Sequence, residues 1–238
     1  MFVNYAHRGA CYYFPENTMS SFFAALSMGA NGIETDIQRT RDDRLVLFHD
    51  DTVDRVTNGT GNLSDFSYKE LYELFVFGGK NRELRDKIVL LEDFLKYIAF
   101  KDLMFAIEFK QPFVEKDTIC LLEKYGVREK TVLTSFNFDN LERAKEINEK
   151  YKIGYLVKKV NNDVIACLRE LKGEELCPHS GQISRENVEL WHRMGFHVRA
   201  WGISNSEVMQ SVYDAGVDGM TVNFPDLLTA YIGQKLKR

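Results

Sequence analysis

Residues 32–50 read Gly-Ile-Glu-Thr-Asp-Ile-Gln-Arg-Thr-Arg-Asp-Asp-Arg-Leu-Val-Leu-Phe-His-Asp. The run 32–37 has the character of a buried strand, yet it carries Glu34 and Asp36 two positions apart. Successive strand side chains point to opposite faces, so both carboxylates share one face. The cluster 41–44, Arg-Asp-Asp-Arg, reads as a tight turn, and 45–49 as a second strand. No crossover helix fits between them, so the second strand must return antiparallel. The pair forms a hairpin that rises above the sheet's rim and brings His49 back toward the end of the preceding strand.

Outward from this hairpin the chain alternates short strand-like runs with longer stretches of helical period. Residues 3–6 precede a helix over 17–29 that Asn17 or Thr18 can cap, and 32–37 follows. Then 104–109 leads to a helix near 115–125, 131–135 to one near 139–151, and 153–157 to 163–171. Residues 175–178 precede a helix capped by Ser184, 197–201 precede 207–215, and 218–222 precede a last helix after Pro225. Eight strands with helices between them predict a parallel sheet closed as a (β/α)8 TIM barrel. An open, doubly wound sheet would be favoured by a GxGxxG turn, and the chain has none.

Residues 51–86 interrupt the alternation with turn signals at Asn58-Gly59, Gly61-Asn62 and Gly78-Gly79 and a short helix near 68–75. An insertion after a barrel strand lies on the face where barrel enzymes do their chemistry. Without its 36 residues the 238-residue chain has 202 left, enough for one barrel and no second independent domain. The whole of 1–238 therefore reads as a single barrel domain with a small inserted subdomain.

With 31 basic and 35 acidic side chains the net charge is −4, which argues against a nucleic-acid partner. Hydrophobic residues make up 45% of the chain, ordinary for a globular protein and too many for a disordered one. Cys11, Cys120, Cys167 and Cys177 lack CxxC spacing and read as free thiols of a reducing compartment. Apolar runs such as 103–107 are far short of a membrane span, and His7, Arg8 and the 15–17 turn come too early for a signal peptide. The expectation is a cytoplasmic protein, without stable membrane insertion, acting on a small molecule as a monomer or homodimer.

The polar residues within strands point to the chemistry. Glu108 lies between Ile107 and Phe109, with Lys110 on its face. Two carboxylates about 5 Å apart repel by roughly 3 kcal/mol at an effective dielectric near 20. Glu34, Asp36 and Glu108 converging at the barrel mouth would form an oxygen cage suited to one hard divalent cation, Mg²⁺ or Ca²⁺. The plainer reading makes them solvated rim charges paired with Arg8 or Lys110. His7 ends the first strand and His49 the returning hairpin, two groups suited to moving protons near neutral pH. Arg8 offers a fork for phosphate oxygens. A cation, two proton carriers and two basic side chains fit cleavage of a phosphodiester.

At these residues the chain resembles the glycerophosphodiester phosphodiesterase family. The matching pieces are His7-Arg8-Gly9, Pro15-Glu16-Asn17-Thr18, Gly32-Ile33-Glu34-Thr35-Asp36, His49-Asp50 and Ile107-Glu108-Phe109-Lys110. Thr134-Ser135-Phe136, Val198-Arg199-Ala200-Trp201, Gly216-Val217-Asp218-Gly219 and Asn223-Phe224-Pro225 extend the likeness to about residue 228. The resemblance implies the same barrel, with a subdomain after the His-Asp motif. It implies hydrolysis of a glycerophosphodiester to glycerol 3-phosphate and an alcohol. It makes His7 and His49 the acid–base pair, Glu34, Asp36 and Glu108 the metal ligands, Arg8 and Lys110 the phosphate contacts, and Trp201 a wall against the glycerol.

The chain departs from the family pattern at Trp201-Gly202-Ile203-Ser204, where Trp-Thr-Val-Asn is usual, and is bulkier over Tyr12-Tyr13-Phe14. Those aromatics would either narrow the mouth or pack the loop. His179 would either touch substrate or serve the structure, while His192 and His197 read as structural. The Pro-Glu-Asn-Thr residues are expected to shape the loop and helix start. Two other functions stay open: a related barrel phosphodiesterase acting on lysophospholipids or other lipid head groups, and a catalytically inactive binding barrel. The last would have lost a ligand or a histidine, and all five are present.

Overall fold

Strand-forming runs and capped helices alternate along the chain in the computed structural model, which describes residues 2–80 and 83–237. In order, the elements are β1 (Val3–His7), α1 (Met19–Ser27), β2 (Gly32–Arg39), β3 (Leu45–Leu47), α2 (Tyr68–Glu73), α3 (Leu91–Ile98), β4 (Met104–Phe109), α4 (Glu115–Lys124), β5 (Thr131–Ser135), α5 (Phe138–Ile147), β6 (Lys152–Val157), α6 (Asn162–Glu170), β7 (Glu175–Pro178), α7 (Arg185–Arg193), β8 (His197–Ala200), α8 (Ser206–Asp214), β9 (Gly219–Val222) and α9 (Pro225–Lys235). Single 3₁₀ turns lie at Leu63–Asp65, Arg128–Lys130 and Ser180–Gln182.

The strands pair in the order β1-β9-β8-β7-β6-β5-β4-β2, and β1 pairs with β2 to close the ring. All eight pair in parallel, so the chain is a (β/α)8 TIM barrel, as the alternation predicts. β3 is the exception. It pairs antiparallel with β2, Ile37 opposite Leu47 and Arg39 opposite Leu45. The turn between them is closed by Thr40 N–H to the Arg44 carbonyl at 2.9 Å, with Asp43 at φ +59°.

Side-chain caps set the helix starts. Thr18, Ser67, Asn137, Asn161, Ser184 and Asn205 each accept a first-turn N–H, and Ser67 with Glu70 completes a capping box. Of the two candidate caps of α1, Thr18 is the one used. α3 is an element that the strand–helix reading does not anticipate. It lies between the 51–86 segment and β4, and buries Leu91, Phe94, Leu95 and Ile98 at the spacing of one helical face.

Two large apolar clusters sit between the barrel wall and its helices, one under α1, α3, α4 and α5 and one under α6 to α9. A third joins β3 to the segment that follows. Leu45 and Leu47 face the first cluster, while Val46 and Phe48 pack with Val53, Val56, Leu63, Leu71, Val76 and Ile88. β3 is thus a two-sided wedge, one face on the barrel cluster and the other on the chain that follows it. Among the described residues, no helix is long and apolar enough to cross a membrane.

Candidate active site

Strand register, not sequence proximity, assembles the site. His7 is paired with Glu34 across β1 and β2, and Asp36 with Glu108 across β2 and β4. Carboxylate oxygens of Glu34, Asp36 and Glu108 all lie within 4.8 Å of one another, and all three residues are buried. They are not the solvated rim charges of the plainer reading, though the predicted pairings exist. Arg8 Nε is 3.1 Å from Asp36 Oδ2, and Lys110 Nζ is 2.8 Å from Glu108 Oε1 and 4.0 Å from Asp36 Oδ1.

Three buried acids cannot share one titration. Burial, then the charges of Asp36 and Glu108, pushes the Glu34 carboxyl well above the usual range. Burial, then Asp36, raises Glu108 as well. Burial would raise Asp36 too, but Arg8, His49 and Lys110 outweigh it and hold this carboxyl low. Asp36 Oδ2 also accepts from Asn17 Nδ2 at 2.9 Å, and Asn17 is itself held by Thr35 Oγ1 at 2.7 Å. Asp36 Oδ1 is buried with no hydrogen-bond partner. An orphaned carboxylate oxygen facing two further carboxylates is a donor set that fits a hard divalent cation.

The two histidines are each anchored through Nδ1. His7 Nδ1–H donates to Asn223 Oδ1 at 2.5 Å, and its Nε2 lies 3.9 Å from Glu34 Oε2. Burial, then the neighbouring Arg8 charge, lowers His7 to about 4, so its ring is neutral at pH 7. His49 Nδ1–H donates to Asp50 Oδ1 at 2.5 Å. Both rings line a cavity of about 230 Å³ together with the charged Arg8, Glu34 and Glu108 and the apolar Phe136, Leu156, Trp201 and Ile203.

The backbone that carries Arg8 is tightly constrained. Arg8 sits at φ +54° and Gly9 at φ +80°, and a Cβ on Gly9 would fall 2.3 Å from Ser21 Oγ. Only glycine lets the turn press so closely on α1 while Arg8 faces the carboxylates. Arg8 Nη1 also donates to Glu16 at 2.8 Å. The Pro-Glu-Asn-Thr loop thus does more than start a helix: Glu16 holds Arg8 and Asn17 holds Asp36.

The sequence pattern of the Glycerophosphoryl diester phosphodiesterase family matches residues 7–227. The chain belongs to this family. A protein named glycerophosphodiester phosphodiesterase from Caldanaerobacter subterraneus is 33% identical over 231 residues, 94% of each chain. A crystal structure of a glycerophosphodiester phosphodiesterase from Agrobacterium tumefaciens superposes with a TM-score of 0.85 at 22% identity, covering 97% of this chain and 100% of that one. A phosphodiesterase from Oleispira antarctica, solved in complex with the product sn-glycerol 3-phosphate, superposes with a TM-score of 0.86 at 24% identity, covering 97% and 96%.

Within this glycerophosphoryl diester phosphodiesterase fold the departures from the family pattern have local causes. Gly202 takes φ +74°, and a Cβ there would lie 2.6 Å from the His179 ring. His179 packs edge-on against Trp201, with centroids 4.8 Å apart, and its Nδ1 accepts from Gly181 N–H at 3.1 Å. It buttresses the wall of the cavity. Trp201 is fixed by its indole N–H, 3.1 Å from the Cys177 carbonyl, and stands edge-on to Phe136 at 4.9 Å. Tyr12 and Tyr13 pack on each other and turn away from the cavity, Tyr12 toward Phe224 and Lys80, and Tyr13 with its hydroxyl on Asp226 at 2.9 Å. His192 is held by Asp218 at 2.8 Å, and His197 is exposed, with the same carboxylate 3.9 Å away.

In the sequence Asn223 and Asp50 are matching motif positions with no evident task. A signal for Asn223 exists. Ala6 is paired with Val222 across the closing strands, so the next residues, His7 and Asn223, meet at the rim. That inference needs the ring closed, which sequence alone leaves implicit.

Proposed function

We propose that the protein hydrolyses glycerophosphodiesters to glycerol 3-phosphate and an alcohol. The observation that carries this reading is one cavity lined by two anchored histidines, Arg8, Glu34 and Glu108, with Asp36 clustered against the two glutamates and Lys110 paired with Glu108. Family membership supports the substrate class, and the Oleispira relative's bound sn-glycerol 3-phosphate is consistent with the product. Glu34, Asp36 and Glu108 would hold one divalent cation, Mg²⁺ or Ca²⁺, which when bound supplies positive charge to phosphoryl oxygens.

The residues divide the work by their partners. His7 is neutral, with Nδ1–H committed to Asn223, so its Nε2 lone pair is available to take the proton of the attacking water or glycerol hydroxyl. His49 is oriented by its Nδ1–H bond to the Asp50 carboxylate, which leaves Nε2 as the atom to deliver a proton to the departing alcohol oxygen. Arg8 and Lys110 give N–H donors to non-bridging oxygens. Trp201, which lines the cavity together with Phe136, Leu156 and Ile203, would form the wall against the glycerol moiety. Residues 51–86 are read as a subdomain of the single barrel domain that completes the active-site mouth. The same reading places the protein in the cytoplasm as a monomer or homodimer, consistent with four unpaired cysteines.

Purified protein is expected to release glycerol 3-phosphate from glycerophosphodiesters, stop on chelation, and recover with Mg²⁺ or Ca²⁺. Full activity in chelator-treated protein would overturn the metal assignment. His7→Ala and His49→Ala are each expected to lower kcat by roughly 10²–10⁴-fold, the usual worth of a placed acid or base. A panel of choline, ethanolamine, inositol and glycerol diesters run beside a lysophospholipid separates this reading from a lipid-directed one.

A further inference from the structure

Arg55 lies just beyond the His-Asp motif, outside the cavity lining, with its side chain about half exposed. Its guanidinium nevertheless makes three hydrogen bonds. Nε donates to Asp50 Oδ2 at 2.5 Å, Nη1 to Glu16 Oε2 at 2.9 Å and Nη2 to Glu16 Oε1 at 2.8 Å. Asp50 gives its other oxygen, Oδ1, to His49 Nδ1. Glu16 Oε1 is also shared with Arg8 Nη1 at 2.8 Å, and Arg8 reaches Asp36. Hydrogen bonds therefore run unbroken from His49 through Asp50, Arg55 and Glu16 to Arg8, whose ion pair with Asp36 extends the chain to the carboxylate cluster. Arg55 is its only link contributed from beyond the His-Asp motif.

We propose that Arg55 is a positioning residue for catalysis, fixing the Asp50 carboxylate so that His49 holds one tautomer and one ring orientation. The proposal rests on the reading of His49 as a proton carrier in diester hydrolysis. An isolated exposed ion pair contributes little, but a two-pronged arginine–carboxylate fork within a network is the exception. Each oxygen of Asp50 has one assigned partner, so loss of Arg55 frees the carboxylate to rotate and share its charge with solvent. Lysine keeps the charge and cannot span Asp50 and both oxygens of Glu16. The same fork ties the chain after His49 to the loop that holds Arg8, so the 51–86 segment becomes part of the catalytic framework.

The test compares wild type, Arg55→Ala, Arg55→Lys, Asp50→Asn and Asp50→Asn/Arg55→Ala, with glycerophosphocholine as substrate and saturating Mg²⁺. Arg55→Ala is expected to lower kcat by about 10–100-fold, the range for a partner that orients an active-site ligand, with KM within about threefold. Arg55→Lys should fall between. Guanidinium at low millimolar, non-denaturing concentration should restore part of the Arg55→Ala rate, and in the Asp50→Asn background Arg55→Ala should cost nothing more. A folded Arg55→Ala protein with kcat within about twofold of wild type would overturn the proposal, as would full additivity with Asp50→Asn. If Arg55→Ala does not fold, Arg55→Lys decides, and wild-type kcat there is the overturning result. The His49 ring ¹⁵N shifts are a readout free of turnover: one Nδ1–H tautomer in wild type and a mixture in Arg55→Ala are expected, and identical spectra would refute the idea. If wild type cleaves no diester, the hydrolase reading fails, and these spectra still decide the role of Arg55.

Discussion

Glu34 and Asp36 are two residues apart on one strand and one face, yet their carboxyls move in opposite directions. Asp36 has Arg8, Lys110 and Asn17 around it and stays ionised. Glu34 is as deeply buried but lies against two other acids, and it holds its proton well above the ordinary carboxylate range. A cation coordinates carboxylates and not carboxylic acids, so binding must expel any proton held there. The sign follows. Below the raised pKa of cation-free Glu34, binding releases a proton, and apparent affinity falls as pH falls, by up to about tenfold per pH unit for each proton displaced. Above that pKa, affinity is flat. Titration calorimetry of Mg²⁺ in two buffers of different ionisation enthalpy should show buffer-dependent heat in the lower range only. Buffer-independent heat throughout would mean that Glu34 is not a ligand. At this scale the sequence was informative wherever period two sufficed, as for the Glu34–Asp36 and Glu108–Lys110 pairs. It gave Asn17 only a part in the helix start, where Thr18 is the cap and Asn17 holds Asp36, and was silent on the tasks of Asp50 and Asn223, because such partners depend on ring closure and turn geometry.

Elements were legible in proportion to how strongly local pattern determined them. The antiparallel return of β3 followed from the short turn at 41–44, because a parallel crossover needs far more chain. The helix α3 was hidden although Leu91, Phe94, Leu95 and Ile98 have the spacing of an apolar helical face. The preceding Ile88-Val89-Leu90 extends the apolar run backward, and short apolar runs do not distinguish strand from helix. In the fold those three residues divide: Ile88 and Leu90 enter the cluster of the 51–86 segment, while Val89 joins the barrel cluster. α3 therefore covers the barrel where the insertion interrupts the alternation. Phe94 is fully buried, with its ring edge-on to Phe22 at 4.7 Å and to Phe105 at 5.9 Å, so it ties α3 to α1 and β4. Phe94→Ala should cost about 3–5 kcal/mol of stability in a denaturant titration, the range for emptying a large aromatic site. A loss below about 1 kcal/mol would mean that α3 is not part of the cooperative core.

At the scale of the whole molecule, barrel closure turns residues from separate strands into one electrostatic problem. β1, β2 and β4 bring His7, Glu34, Asp36 and Glu108 together, while β9 supplies the position that leads to Asn223. The fold keeps oxygens of three acids within 4.8 Å of one another in the barrel interior, their repulsion relieved only in part by Arg8 and Lys110. The unfolded chain separates these acids and has no preformed cage. A divalent cation should therefore bind the native state in strong preference and stabilise it by mass action, by about 2.7 kcal/mol at a hundred times its Kd. For a chain of this size each kcal/mol moves Tm by about 2–4 °C, so saturating Mg²⁺ or Ca²⁺ should raise Tm by roughly 5–10 °C over chelator-treated protein. Glu108→Gln removes one ligand charge and one source of repulsion together. Its cation-free Tm should equal or exceed that of wild type, while its cation-induced rise should shrink. Scanning calorimetry with and without the cation separates the two effects. An undiminished rise in Glu108→Gln would place the stabilising ion elsewhere on the molecule.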